Sequence, residues 1–164
     1  MIDNSNINQK IAIRQKGLSL LKSSQFDVLD MYAGVGIITN TFWAKVAKNV
    51  YCCEKENGKF ISNAENVILF EGDNSEKIHI SEHFEVIDLD AYGLVLKKIK
   101  DISKIKQTKE RLIFFTEFNP IAYKKNWQYD FMLELLKLNP TGIFIEKASN
   151  SAVLYGYIYF SYYA

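Results

Sequence analysis

Residues 28–36, Val-Leu-Asp-Met-Tyr-Ala-Gly-Val-Gly, constrain the fold of this chain more than any other segment. An apolar run ends at Asp30, Gly34 and Gly36 follow, and a helical pattern begins at Ile37. This order predicts a strand, a tight turn and a helix. Such a unit brings backbone N–H groups and a helix N-terminus against a nucleotide-like ligand. We therefore expect a binding site where the first strand ends.

Asp30 indicates what kind of ligand this site takes. A dinucleotide would place its pyrophosphate near the turn, where an aspartate would repel it. S-adenosylmethionine instead carries positive charge on its ammonium and sulfonium groups. The spacing also departs from the G-x-G-x-x-G pattern of dinucleotide sites, because Thr39 stands at the third glycine position. The turn therefore favours a methyl-donor pocket over a nicotinamide pocket.

The bulk composition predicts one packed domain. Of the 164 residues, 48% are hydrophobic and 14% are aromatic, which is enough apolar material for a full core. Because 20 basic residues nearly balance 19 acidic ones, contact with nucleic acid would need a local basic patch. The polar opening residues, and the lack of an apolar run near the roughly 20 residues of a membrane span, predict a cytoplasmic protein without a membrane partner.

Strand and helix patterns alternate along the chain, which predicts an α/β three-layer sandwich with a seven-stranded, mostly parallel sheet. About five residues separate the last two strands, too few for a helical crossover, so they should form a C-terminal antiparallel hairpin. We expect an N-terminal polar segment and helix over 1–24 and the main domain over 25–164. The predicted strands are 26–31, 49–53, 67–70, 84–89, 112–116, 142–146 and 153–163; the predicted helices are 8–23, 37–48, 57–65, 94–106 and one that runs from 127 to the Asn139-Pro140 stop.

This pattern resembles the Rossmann-like class I S-adenosylmethionine-dependent methyltransferases over residues 26–163. Residues 28–36 are similar to the first motif of RNA-modifying members, including tRNA guanine methyltransferases. Residues 86–93, Val-Ile-Asp-Leu-Asp-Ala-Tyr-Gly, resemble the Asp-x-Asp-Pro-Phe/Tyr-Gly motif of tRNA guanine N-dimethyltransferases. Ala91 stands in place of the proline of that motif.

The resemblance implies roles for residues at the ends of the first four strands. It implies that Asp30 receives the methionine ammonium, that Glu54 accepts the ribose hydroxyls, and that Asp73 accepts the adenine amino group. Further implied cofactor contacts are the backbone of Tyr32, Ala33, Gly34, Gly36 and Asn74. Asp88, Asp90 and Tyr92 would face the methyl acceptor. The chemistry agrees, because a carboxylate that accepts N–H bonds from an exocyclic amine offsets its developing positive charge, and an aromatic ring can stack on a flipped base.

Several features have a plainer interpretation. Asp73 follows a glycine and could cap a turn or helix. The seven cations over residues 97–111, which we call the basic region, form either a solvated helix face or a patch for the RNA backbone. The alternating Tyr155, Tyr157 and Tyr159 indicate strand packing or an oligomer edge. Cys52 and Cys53 are neighbours on a predicted strand and point to opposite faces, so they read as core thiols rather than a disulfide or a metal site.

The leading hypothesis is an S-adenosylmethionine-dependent N-methyltransferase that acts on a nucleobase in RNA, with tRNA first. DNA or a small molecule is an alternative acceptor, and a partner subunit would supply recognition that a chain of this size lacks. A second hypothesis is a catalytically silent methyltransferase-like subunit that scaffolds a partner. A nicotinamide oxidoreductase is the third, and Asp30 and Thr39 both count against it.

Overall fold

In a computed structural model that describes residues 6–91, 93–119, 126–148 and 152–162, the strands form a single sheet in the order β3-β2-β1-β4-β5-β7-β6. The strands are β1 (Asp27–Asp30), β2 (Asn49–Glu54), β3 (Val67–Glu71), β4 (Val86–Leu89), β5 (Arg111–Phe118), β6 (Gly142–Lys147) and β7 (Val153–Phe160). The helices are α1 (Ile7–Leu18), α2 (37–46, with a π-helical stretch at Thr39–Trp43), α3 (Leu96–Ser103) and α4 (Trp127–Leu136). A 3-10 segment covers Asn74–His83. Within these ranges no helix has the length and apolar character needed to cross a bilayer.

The pairing of the strands confirms the predicted architecture. Strands β1 to β5 pair in parallel, whereas β7 lies antiparallel between β5 and β6. The chain builds outward from β1 to β3 and then returns to place β4 on the other side of β1. Open α/β sheets bind ligands at such a switch point, outside the carboxyl ends of the strands. The fold therefore predicts a ligand site at the ends of β1 and β4.

Two hydrophobic clusters cover the two faces of the sheet. One contains residues of α1 and α2, and the other contains residues of α3 and α4. Cys52 belongs to the first cluster and Cys53 to the second, which confirms that these neighbouring thiols point to opposite faces. The tyrosines of β7 at 155, 157 and 159 are all buried in the first cluster, so they pack the strand and do not form an exposed edge.

The predicted helix over residues 57–65 is wrong. This stretch contains no helix, and Gly58 adopts a positive φ of 73°, a left-handed conformation that ends helical geometry. Loop contacts hold the segment instead, because the Asn40 side chain donates to the carbonyl of Ile61 at 2.7 Å and accepts from the Ser62 hydroxyl at 2.6 Å. A helix was expected here from the usual strand–helix–strand alternation, which this crossover does not follow.

Helix α1 packs closely on the sheet and is an integral part of the layer that covers it. Its Gly17 faces β5 and β7, where an added Cβ would lie 2.6 Å from the Phe114 ring. That ring is 1% exposed and is wedged between Trp43 and Tyr157, with ring centroids 5.7 and 5.8 Å away. Because Phe114 has no room to move, the glycine sets how closely the helix approaches the strands.

We expect Gly17→Ala to destabilise the protein, although alanine is the better helix former by about 1 kcal/mol. Overpacking against Phe114 should cost roughly 1–3 kcal/mol and outweigh that gain. Urea unfolding would measure the difference. Gln15→Ala, on the exposed side of the same helix, is the control. A Gly17→Ala protein as stable as the control would show that α1 can shift freely.

Candidate functional site

A pocket of about 370 Å³ opens at the carboxyl ends of β1, β2 and β3. It is built from the strand ends, the turns that follow them and one side chain of α3. Its lining residues are Met31, Tyr32, Cys53, Glu54, Lys55, Gly72, Asp73, Asn74, Ser75 and Lys98. The structure therefore brings four of the predicted cofactor residues together: Tyr32, Glu54, Asp73 and Asn74.

Glu54 closes β2 and lines the pocket, and the ammonium of Lys59 lies 3.9 Å from its Oε1. Its Oε1 accepts from the backbone N–H of Glu56 at 2.9 Å, whereas Oε2 has no hydrogen-bond partner among the described residues. Its side chain is 10% exposed. A carboxylate fixed through one oxygen in this way can offer the other to a hydroxyl-bearing ligand.

Asp73 both caps a helical segment and lines the pocket. Its Oδ1 accepts from the backbone N–H of Ser75 at 2.8 Å, which makes it the N-cap of the 3-10 segment. This hydrogen bond holds the pKa of Asp73 below its usual range. The side chain of the next residue, Asn74, donates to the carbonyl of Met31 at 2.6 Å and so joins the turn after β3 to the end of β1.

The two glycines of the turn after β1 lie in different surroundings, although both have a positive φ. Gly36 has φ +87°, and an added Cβ would meet the Asn40 amide at 2.8 Å and the Ile61 carbonyl oxygen at 2.9 Å. The lack of a side chain at Gly36 therefore allows the loop after β2 to pack closely against the turn. Gly34 has φ +57°, but an added Cβ would meet nothing closer than 4.0 Å, so its surroundings are open. The Ala33 N–H is already used, because it donates to the Cys53 carbonyl at 3.2 Å.

Asp30 lies at the end of β1 with 2% exposure and is held by the helix that follows it. Thr39 donates its hydroxyl to Oδ2 at 2.7 Å, and the Tyr32 N–H donates to Oδ1 at 3.2 Å. Thr39, which departs from the three-glycine pattern, is thus a partner of the carboxylate. Burial, with the nearby charge of Asp88, raises the pKa of Asp30 to about 7. Asp30 itself is not among the residues that line the pocket, although the next two residues, Met31 and Tyr32, are.

Asp88 lies beside Asp30 in the parallel register, and α1 and α2 cover it completely. Arg14 donates to both of its oxygens, at 2.8 Å from Nε and 2.7 Å from Nη2. The indole N–H of Trp43, in the π-helical stretch, donates to Oδ2 at 2.6 Å. The structure differs here from the expectation that Asp88 faces a methyl acceptor, since the carboxylate has 0% exposure and accepts three hydrogen bonds from protein side chains.

Asp90 is nearer the surface and belongs to the same ionic cluster. Lys10 lies 2.9 Å from Oδ1, Thr116 donates to Oδ1 at 2.5 Å, and the guanidinium of Arg14 lies 3.8 Å from Oδ2. Although burial acts in the opposite direction, Arg14 and Lys10 hold the pKa of Asp90 below its usual range. The carboxylate retains 13% exposure. Tyr92, the third predicted acceptor residue, lies outside the described residues.

The basic region is largely neutralised where the structure describes it. Arg111 is 2% exposed and donates to the carbonyl of Ile102, in the last turn of α3, and to that of Ile105, which follows the helix. Three of the lysines form ion pairs with nearby acids: Lys100 with Glu134, Lys104 with Asp101, and Lys109 with Glu85. Arg111 is therefore a structural residue, and the remaining lysines do not form one uniformly cationic face.

No protein-family model matches the chain, and no curated protein matches it in sequence. Solved structures do match. The TYW2 of P. horikoshii, in complex with MeSAdo, aligns with a TM-score of 0.65 at 13% identity over 98% of this chain and 64% of that one. The TYW2 of M. jannaschii, in complex with AdoMet, gives 0.57 at 15% identity over 92% of this chain and 74% of that one. A "putative rRNA-methylase" of Clostridium thermocellum gives 0.60 at 12% identity and covers 98% of this chain and 99% of its own.

The chain shares the fold of these proteins. It spans 64% of the length of the P. horikoshii TYW2 and the same share of a second P. horikoshii protein, PH0793. Two of these neighbours, the TYW2 proteins, were solved with MeSAdo or AdoMet bound. Among the described residues, no three His, Cys, Asp or Glu side chains come together as metal ligands would.

Glu117, at the end of β5, is a positioning residue that the sequence did not reveal. It is 3% exposed, and its Oε2 accepts from the backbone N–H of Val95 at 2.7 Å, just before α3. Burial raises its pKa to about 7 despite this bond. Because Glu117 lies on β5, 22 residues from Val95 in the sequence, no local capping pattern predicts this hydrogen bond. It fixes the start of the helix that carries Lys98 into the pocket.

Arg14→Met should cost roughly 3–5 kcal/mol of folding stability, because it leaves the Asp88 carboxylate buried without its cation. The double variant Arg14→Met/Asp88→Asn should recover more than half of that loss, since it removes the buried charge and keeps an oxygen for Trp43. Urea unfolding measures both, with Gln15→Met as the exposed control. No recovery in the double variant would refute this account of the pair.

Asp30→Asn should stabilise the protein at neutral pH. An aspartate in the unfolded chain has a pKa near 3.9. Between about pH 4 and pH 7, Asp30 therefore keeps its proton in the native wild-type protein but loses it in the unfolded chain. As a result, wild-type stability falls as pH rises through this window. Asparagine avoids that loss. The stability gap between variant and wild type should therefore grow from pH 4.5 to pH 8, reaching on the order of a few kcal/mol.

The control for this pH series is Asp130→Asn, on the exposed side of α4, and the Asp30→Asn gap is compared with the gap of this control at each pH. Urea midpoints at each pH provide the measurement. A gap at Asp30 that is the same at pH 4.5 and pH 8 would contradict a buried, proton-binding carboxyl group.

Proposed function

We propose that the chain binds S-adenosylmethionine in the pocket at the ends of β1, β2 and β3 and methylates a nitrogen of a nucleobase in RNA, with tRNA as the first substrate to test. The observation that carries this proposal is the convergence of Glu54, Asp73 and Asn74 on one pocket beside the glycine turn. The resemblance to class I methyltransferases implies cofactor contacts for these same three residues, after the second and third strands.

The residues of the pocket suit such a ligand. Its volume of about 370 Å³ falls in the range of small-molecule sites, roughly 300–1,000 Å³. The open Oε2 of Glu54 suits a ribose diol. The second oxygen of Asp73, Oδ2, lies 3.8 Å from the exposed ammonium of Lys55, so it can accept a hydrogen bond from an amino group. Asp30 has a pKa of about 7, so a cationic ligand at the neighbouring turn would favour its ionised form.

Asp90 is the remaining described candidate for contact with the methyl acceptor. S-adenosylmethionine, when bound, supplies a methyl group on a sulfonium that is already activated for transfer. N-methylation requires the acceptor amine to lose a proton, and a nearby carboxylate that accepts its N–H bond favours that loss. A carboxylate has about four acceptor positions. Lys10 and Thr116 occupy part of this capacity in Asp90, so an amine would share the group with them.

A catalytically silent subunit is the second candidate, and one observation favours it. The two acids of the second motif, Asp88 and Asp90, are paired with cations from α1. Such a protein would bind the cofactor or a partner without turnover. Under either function, contact with RNA through the basic region rests on Lys97 and Lys106 and on displacement of existing ion pairs. A partner subunit would supply the rest of the recognition surface.

We expect calorimetric titration to show saturable binding of S-adenosylmethionine and none of NADH. Glu54→Gln should weaken binding roughly tenfold or more, because hydrogen bonds to a charged acceptor contribute about 1.5–3 kcal/mol. Glu56→Gln, whose side chain is 70% exposed two residues away, is the matched control and should bind like wild type. Wild-type protein that fails to bind S-adenosylmethionine would end the proposal.

Transfer of a labelled methyl group to unmodified tRNA would then separate the enzyme from the silent subunit. Asp90→Asn should lower turnover while cofactor binding stays intact. Cofactor binding without transfer to tRNA, to other RNA or to DNA would favour the silent subunit.

A further inference from the structure

Lys98 is the one α3 residue that lines the pocket, and its ammonium group is held in place there. Its Nζ donates to the side-chain oxygen of Asn74 at 2.8 Å and to the hydroxyl of Ser75 at 3.0 Å. Both partners belong to the turn after β3. The lysine therefore bridges α3 and the end of β3 across the pocket, in contrast to the exposed Lys97 beside it.

The partners of Lys98 are themselves fixed. Asn74 uses its amide N–H₂ on the Met31 carbonyl, and the backbone N–H of Ser75 binds Asp73. On the other side, Glu117 holds the start of α3, and Ile99 anchors the helix in the core with 0% exposure. Binding to a group that is already positioned loses little conformational entropy. Lys98 is therefore preorganised rather than a mobile surface lysine.

An ammonium has three N–H donors, and the described residues account for two of them at Lys98. Asp73, on the same turn, contributes an acceptor to the same pocket. The lining of the pocket thus contains a hydrogen-bond acceptor, the carboxylate of Asp73, and a hydrogen-bond donor, the ammonium of Lys98. Lys98 is held by Asn74 and Ser75, the two residues that follow Asp73.

We propose that Lys98 donates its third N–H to a ring nitrogen of the bound purine, and that Lys98 and Asp73 together select a 6-aminopurine over a 6-oxopurine. This inference rests on the proposed cofactor and names the part of the pocket that reads its base. In adenine, the amino donor is flanked by ring-nitrogen acceptors, which complements a carboxylate beside an ammonium.

A 6-oxopurine would reverse this pattern. It places a carbonyl oxygen where Asp73 needs a donor, and its protonated ring nitrogen faces the ammonium. Sites built to hydrogen-bond a substrate group reject analogues that cannot make the bond, because their own polar groups are then left unpaired. Selectivity therefore requires both members of the pair, and Lys98 contributes the donor.

Calorimetric titration with S-adenosylhomocysteine and S-inosylhomocysteine tests this role without turnover. We expect wild type and the matched control Lys97→Met to prefer the adenosyl ligand strongly. Lys98→Met should bind the adenosyl ligand roughly tenfold more weakly and show a smaller preference between the two ligands. Lys98→Arg, which restores a donor, should recover part of the preference. If Lys98→Met only disturbed packing, the affinity for both ligands would fall by the same factor.

Lys98→Met protein that binds both ligands as Lys97→Met does would overturn the inference. So would an equal loss for the adenosyl and inosyl ligands in a variant whose melting temperature matches wild type. Failure of the wild-type protein to bind either ligand is a different result, because it would overturn the proposed cofactor site itself.

Discussion

The buried pair between Arg14 and Asp88 is the interaction on which the ligand-facing end of the sheet depends. A carboxylate with 0% exposure at the end of β4 is costly unless a cation and hydrogen bonds compensate it, and α1 supplies both. The pair therefore requires α1 to lie on the sheet at this position. Once it lies there, Lys10 reaches Asp90, and Gly17 must face Phe114. The arrangement of side chains at the end of β4 therefore depends on the position of α1.

The candidate site is divided between the two faces of the sheet. The ionic cluster around Asp88 lies under α1 and α2, whereas the pocket opens toward α3, where Glu117 and Lys98 order the opposite side. The end of β1 connects the two, because Asp30 points to the cluster and Met31 and Tyr32 line the pocket. Stability and ligand contact therefore depend on mostly different residues, and the variants at Arg14 and Lys98 should separate them.

Local patterns were sufficient to predict much of this arrangement. Strand–helix alternation and the short last connection predict the parallel sheet and its antiparallel hairpin, since both depend on nearby residues. The resemblance to class I methyltransferases implied Glu54 and Asp73, and the pocket contains both because strand ends in a parallel sheet converge on one edge. Arg14 could not be found in this way, because its partner lies 74 residues away and its helix carries no motif. The helix predicted over 57–65 is wrong because Asn57-Gly58 forms a turn, with Gly58 at a positive φ, instead of starting a helix.

The ionic cluster also explains why the pocket suits a cation. Three carboxylates, Asp30, Asp88 and Asp90, share the end of β1 and β4 with two cations, Arg14 and Lys10. The cations pair with Asp88 and Asp90, whereas Asp30 is held by a hydroxyl and a backbone N–H and has a pKa of about 7, so its ionised form lacks a cation. A protein selected for stability alone would place an amide there. The retained carboxylate therefore favours a ligand that brings the missing positive charge to the glycine turn.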